Sequence, residues 1–229
     1  MVFYAYISET RDDNVWRIVL AFTDSSTADE WWRAIADSEN SLLADVRRVT
    51  PEMYIHNTAV FNMNRFFVET RITNISQNFK GRLILTLQSD RGGRGIDIFP
   101  KQGVTDLISG NWFYIRSTVD PEMYWDYKTK EGYPHVTVSR TGRSLFCVTA
   151  TNTPTRTVMI RSDTVQLSTW GVGKVVINSE GLLLTTGTAQ WSFTFGNLAS
   201  GRFVDTDAGL VFSNIDNDGP KRPGWELVN

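Results

Sequence analysis

The chain has 229 residues and a mass of 26.0 kDa, with 41% hydrophobic, 12% aromatic and 21% charged residues, enough apolar material for one large domain or two small ones. Its 23 Lys and Arg against 25 Asp and Glu give a formal charge of −2, which leaves no electrostatic footprint for nucleic acid or an anionic membrane. One cysteine, Cys147, makes no internal disulfide and completes no familiar zinc set with His56 and His135, so neither a structural metal nor a cofactor is expected.

The opening residues, Met1 to Ile7, lack the basic start and apolar length of a secretory signal and read as an early strand. No run approaches the ~18 apolar residues of a membrane span, and a cytoplasmic protein is expected. Asn74-Ile75-Ser76 fits a glycosylation pattern that matters only in a secreted chain. Residues 15–22 alternate as a strand, and the capping residues of 23–27 then precede a helix over 28–36. That start places Asp29 and Glu30 in the first turn, with Trp31, Ile35 and either Ala28 or Trp32 facing inward. Trp31 and Trp32, about 100° apart on the helix, are both expected to pack, one of them internally and the other beneath the second domain. Residues 46–49, 53–56 and 82–88 add strands, while 59–68 fit either state. Asp90 to Gly95 reads as a glycine-rich hairpin loop, since it lacks the Gly-Lys-Ser/Thr ending and the following helix that a phosphate cradle needs.

Residues 100–110 mark the expected boundary between an α+β domain, 1–106, and an all-β domain, 107–229. The first carries 12 basic and 14 acidic residues and the second 11 of each, so no charge asymmetry separates them. In the second part Ile115-Arg116-Ser117 returns as Ile160-Arg161-Ser162, an offset of 45 that also maps Trp125 onto Trp170, Gly142 onto Gly187 and Phe146 onto Trp191. Four strands are read in the first unit, at 112–116, 123–127, 135–139 and 145–149. Strands at 157–161 and 165–169, a hairpin over 174–185 and a closing strand at 190–195 make the second. A shorter third unit has strands at 201–206 and 209–213, the polar loop 214–223 and a closing strand at 224–227.

Three strand-built units of about forty residues, each closed by a bulky residue, resemble the β-trefoil superfamily, and within it the ricin-B-like lectins of fungi. The resemblance covers about residues 110–229; the lectin pattern Gln-x-Trp is not met, since Gln190 stands directly before Trp191 and the other two units lack the glutamine. It implies a six-strand barrel capped by three hairpins, and a protein that binds carbohydrate or glycoprotein. The expected ligand residues are Trp125, Asp126, Tyr127 and Trp170, with Asn214 and Asp218 in the polar loop: indole faces for stacking on a sugar ring and polar groups for its hydroxyls. The alternative is a non-enzymatic interaction or inhibitor protein, a homodimer included, that presents Asp90 to Gly95 and Asn214 to Lys221 to a protein partner. No catalytic function is expected, because neither histidine lies in a nucleophile motif and nothing pairs Glu69, Asp97 or Asp126. Cys147 alternates between Phe146 and Val148 and is expected as a small buried apolar group.

Overall fold

The computed structural model describes residues 1–10, 17–88, 102–130, 133–171, 173–178, 182–186, 191–205, 209–213 and 224–229. They divide into two compact units, Met1–Asp106 and Leu107–Asn229.

The first unit is built on an open five-strand sheet. Its strands are β1 (Phe3–Glu9), β2 (Arg17–Phe22), β3 (Arg47–Thr50), β4 (Met53–His56) and β5 (Leu83–Gln88), in the order β3-β4-β1-β2-β5. β1 and β4 run parallel and every other pair antiparallel. Parallel neighbours need a crossover, and helix α1 (Ser25–Ala36) supplies it. Asp24 is its N-cap, extended in backbone and accepting the Thr27 amide at 2.7 Å. The helix therefore begins three residues before the expected start, and Asp29 and Glu30 lie beyond its first turn. One face buries Ala28, Trp31 and Ile35. The Trp31 ring meets Phe22, Tyr54 and Phe66 with centroids at 5.6, 5.1 and 6.1 Å, the edge and tilted arrangements that aromatic quadrupoles favour. Trp32 is half-buried and lies 6.0 Å from Tyr54, within the same unit. Residues 59–68, open between strand and helix in the sequence, form turns and a single 3₁₀ turn, Met63–Arg65; further on come Thr70–Ile72, a short α2 (Thr73–Ser76) and Gln77–Phe79.

Among the described residues of the second unit the regular elements are strands apart from the four-residue α3 (Gly196–Ala199). Its strands are β6 (Trp112–Ser117), β7 (Tyr124–Lys130), β8 (Tyr133–Ser139), β9 (Phe146–Ala150), β10 (Thr164–Thr169), β11 (Gly173–Ile177), β12 (Leu183–Thr186), β13 (Phe193–Thr194), β14 (Phe203–Asp205), β15 (Val211–Ser213) and β16 (Trp225–Val228). The hydrogen-bonded path runs β11-β12-β8-β7-β6-β9-β10, and β10 returns to β11. That closes an antiparallel barrel of seven strands and leaves no edge within the ring.

This architecture corrects the β-trefoil expectation. A six-strand barrel capped by three hairpins was expected, but the hairpins β7–β8 and β11–β12 are members of a seven-strand ring, while β14–β15 is a separate two-strand sheet and β16 is a side strand on β6. The 45-residue register fails at its first anchor. Residues 157–161 are no ring strand, because they turn back against the segment before β6: Ser109 N donates to Thr157 O at 2.9 Å, Met159 N to Leu107 O at 2.7 Å, and Ile108 bridges Val158. Asp163 then closes a turn by accepting the Ile160 amide at 2.9 Å, and the ring strand starts only at Thr164. Trp125 lies inside β7 and Trp170 just past the end of β10, so the two are not equivalent.

Barrel interior and exterior follow from alternation. On β6 Phe113 and Ile115 are fully buried, while Trp112, Tyr114 and Arg116 alternate outward. The interior is fixed by Trp125, 0% exposed, whose ring meets Phe146, Phe203 and Trp225 at 6.0, 5.4 and 5.6 Å. Trp225 keeps its indole N–H satisfied by donating to Phe203 O at 2.9 Å. β6 divides one edge between two partners, pairing Trp112 and Phe113 with β9 and Tyr114 to Ser117 with β16. Past the C-terminal end of β6, Thr118 donates from both its amide and its hydroxyl to Gly224 O, at 3.0 and 2.9 Å. Gly224 has no room for a side chain: a Cβ there would run into the backbone of Ala199. Gly224→Ala is therefore expected to destabilise this unit by about 1–3 kcal/mol, seen as a lower urea midpoint for its unfolding. An unchanged midpoint would show that the Ala199 backbone yields freely.

Candidate functional site

The outer face of β6 is the most distinctive surface among the described residues. Trp112 pairs across to Cys147 on β9, and Cys147 to Ser168 on β10, which carries the row to the β10–β11 connection and Trp170. Trp170 is 79% exposed, and its ring lies 5.6 Å from that of Trp112 at 58°. Gly171 (φ 72°) and Gly173 (φ 119°) adopt the left-handed backbone that turns the chain there. Exposure of a large indole that is backed by a second one is unusual for a residue with only a packing role.

Two residues along the same face, Tyr114 meets Tyr124 of β7 edge to face at 6.3 Å. The Arg143 guanidinium sits 4.3 Å over the Tyr114 ring and 5.5 Å from that of Tyr124. The loop bearing Arg143 is braced underneath. Ser144 donates its hydroxyl to Asp126 Oδ1 at 2.5 Å and its amide to Trp125 O at 3.1 Å; Tyr127 N donates to Ser144 Oγ at 3.1 Å. Gly142 N adds a bond to Ser139 Oγ at 3.0 Å. Leu145, next in the loop, is exposed.

The expected ligand residues are thus distributed by role. Trp125 is enclosed by other rings in the core. Asp126 is nearly buried, bound to Ser144 and 3.6 Å from Lys128 Nζ, and holds the loop rather than facing solvent with a free carboxylate. Tyr127 is half-buried beside it. Trp170 alone of these four stands in open solvent, on the outer side of the barrel wall. Asn214 and Asp218 lie outside the described residues, as do Asp97 and the loops Asp90 to Gly95 and Asn214 to Lys221. Cys147 is half-exposed on the outer face, its thiol donating to Gly110 O at 3.3 Å, rather than buried. Sequence reasoning passed over Trp112, Tyr114 and Arg143. The signal for the first two is the alternation Trp112-Phe113-Tyr114-Ile115, which puts one aromatic set inside and the other outside. Arg143 carries no such signal, because its partners come from β6 and β7.

His56 is fully buried in the first unit, where its Nδ1 accepts the Met63 amide at 3.4 Å, and His135 lies half-buried on β8 opposite Leu184. Among the described residues no group of three or more His, Cys, Asp or Glu is placed to hold a metal ion. No helix of the described residues is long and apolar enough to cross a membrane.

The strongest electrostatic feature of the first unit is a shared arginine. Arg48 of β3 reaches Asp106 Oδ1 at 2.6 Å and Asp29 Oδ1 at 3.4 Å. Burial lifts the Asp29 carboxyl to about 7; Arg48 opposes that rise, and Asp106, Glu30 and Asp24 add to it. Burial likewise pushes the Tyr54 hydroxyl well above its usual range.

No protein-family model matches the chain, and no curated protein matches it. Among solved structures it is similar to two of lysenin. One is the lysenin pore, at 11% identity and a TM-score of 0.36, covering 64% of this chain and 58% of that one. The other is lysenin in complex with phosphocholine, at 12% identity and a TM-score of 0.36, covering 64% and 55%. The chain spans little more than half of those lysenin chains. The seven-strand ring stands where the hairpin-capped barrel of fungal ricin-B-like lectins was expected. The lectin assignment and its carbohydrate or glycoprotein partner do not stand, since they required Trp125 and Trp170 as equivalent stacking platforms.

The Asp29 site yields a pH dependence of stability. Its carboxyl binds a proton up to about pH 7 in the folded chain, against an ordinary aspartate value of 3.8. The stabilisation is complete below the lower value and lost as pH rises through the higher one, a total of about 4 kcal/mol. Asp29→Asn, which mimics the protonated form, is expected to match the parent near pH 3 and to exceed it by roughly 3–4 kcal/mol at pH 8. Urea unfolding at both pH values checks this; a constant difference between the two proteins would refute it.

Proposed function

We propose that the 107–229 unit is a non-enzymatic binding module that engages the headgroup region of a lipid bilayer with the outer face of β6. The observation that carries this is Trp170, 79% exposed and held in orientation by Trp112. Continuous with that pair are Tyr114, Tyr124 and the exposed Leu145, with Arg143 above the tyrosines. Indoles and phenols beside arginine are the side chains that suit the boundary between water and acyl chains, where an apolar ring body and a polar rim are satisfied together. The overall charge of −2 does not oppose this. It excludes attraction by net charge, whereas ring burial at a neutral bilayer needs none.

Pre-organisation favours the reading. The Trp112 ring beside the Trp170 indole restricts its rotamers before any contact, so less side-chain freedom remains to be lost on binding. Burying most of one indole contributes roughly 2–3 kcal/mol, so Trp170→Ala is expected to weaken binding to phosphatidylcholine vesicles by about 30-fold or more. Vesicle co-sedimentation measures it, and a blue shift of tryptophan emission in the parent protein should accompany binding. Equal sedimentation of parent and variant would end the proposal.

A further inference from the structure

Three arginines lie on or beside the outer face of β6, and two have carboxylate partners. Arg116 is paired with Glu226 at 2.7 Å, and Arg140 with Asp120 and Glu122. Arg143 is exposed and, among the described residues, its partners are aromatic only: Tyr114 and Tyr124. Stacking on a ring occupies the face of a guanidinium and leaves its N–H groups, which lie in the plane, for an acceptor. The backbone that carries it is also constrained, since Ser144 and Gly142 on either side are hydrogen-bonded to Asp126, Trp125 and Ser139.

We infer that Arg143 is a phosphate-binding residue: its guanidinium, fixed on the two tyrosines, donates in-plane hydrogen bonds to the oxygens of a phosphate group seated beside the Trp112–Trp170 pair. Carboxylate-paired arginines next to it are neutralised and do not compete for the anion. A planar fork fits two phosphate oxygens at once, which a lysine ammonium does not. The same chemistry is offered by a phospholipid headgroup and by a free phosphate compound. As a lipid contact the inference rests on the bilayer proposal and gives it a preference, for phosphate-bearing over phosphate-free surfaces; as an anion contact it stands without it.

The test uses the full chain with vesicles of phosphatidylcholine, vesicles of digalactosyldiacylglycerol, which are uncharged and phosphate-free, and inorganic phosphate. The parent is expected to prefer phosphatidylcholine. Arg143→Gln should lower that affinity about 5- to 20-fold and leave galactolipid binding unchanged, abolishing the preference, while Arg143→Lys retains only part of it. Trp170→Ala should weaken both surfaces alike. If Arg143→Gln binds phosphatidylcholine as the parent does while Trp170→Ala loses it, the phosphate site is refuted and the bilayer reading survives. If neither vesicle binds yet inorganic phosphate shifts the parent's arginine side-chain resonances and not those of Arg143→Gln, the site stands for a free phosphate and the bilayer reading falls. Absence of both responses overturns both. Since Arg143 is exposed, an unchanged thermal midpoint confirms that its variants remain folded.

Discussion

A single strand, β6, makes both the barrel's interior and its distinctive exterior, because side chains on a strand alternate between faces. Phe113 and Ile115 are committed to the core, and that commitment fixes Trp112, Tyr114 and Arg116 on the outside. The outer residues are therefore positioned by the packing of residues they never touch. A one-residue slip of β6 would exchange the two sets, putting an arginine into the core and phenylalanine into water. The interior rings resist that slip. Trp125 is wedged among Phe146, Phe203 and Trp225, which come from three different parts of the unit, so register errors in any one of them open the same space.

Buried polar groups are handled differently in the two units. In the second, Asp126 is almost enclosed but accepts the Ser144 hydroxyl and lies near Lys128, so its desolvation is offset where it anchors a loop. In the first, Arg48 serves two carboxylates at once. Its shorter contact goes to the more exposed Asp106, leaving Asp29 with the longer one and the greater burial, which is why the proton affinity of Asp29 rises.

Much of the local structure could be read from residues. The capping run before α1, the inward Trp31 and Ile35, and the strands at 53–56 and 165–169 follow from short-range periodicity and cap chemistry. What could not be read is how strands are joined. The 45-residue spacing suggested copies of one unit, yet Thr157 and Met159 are drawn into backbone bonds with residues near 108, close to fifty positions earlier in the chain. Those bonds postpone the next ring strand to Thr164 and break the equivalence of Trp125 and Trp170. Nothing local in the sequence announces such pairing, because backbone groups bond without regard to side-chain type. For the same reason the cage around Arg143, assembled from β6, β7 and a loop after β8, has no local signature, while the alternation that exposes Trp112 is written in the sequence of β6 itself.

The pairing of β16 with β6 also has a mechanical side. Val228 lies opposite Tyr114 and Trp225 opposite Ser117, so the unit's first and last strands run antiparallel with their outer ends at the same place. Tension applied through Tyr114 and Val228 would act across that pair as on the two tabs of a zipper, loading one rung at a time instead of all four together. β16 can therefore peel from β6 one pair at a time while the seven ring strands stay joined.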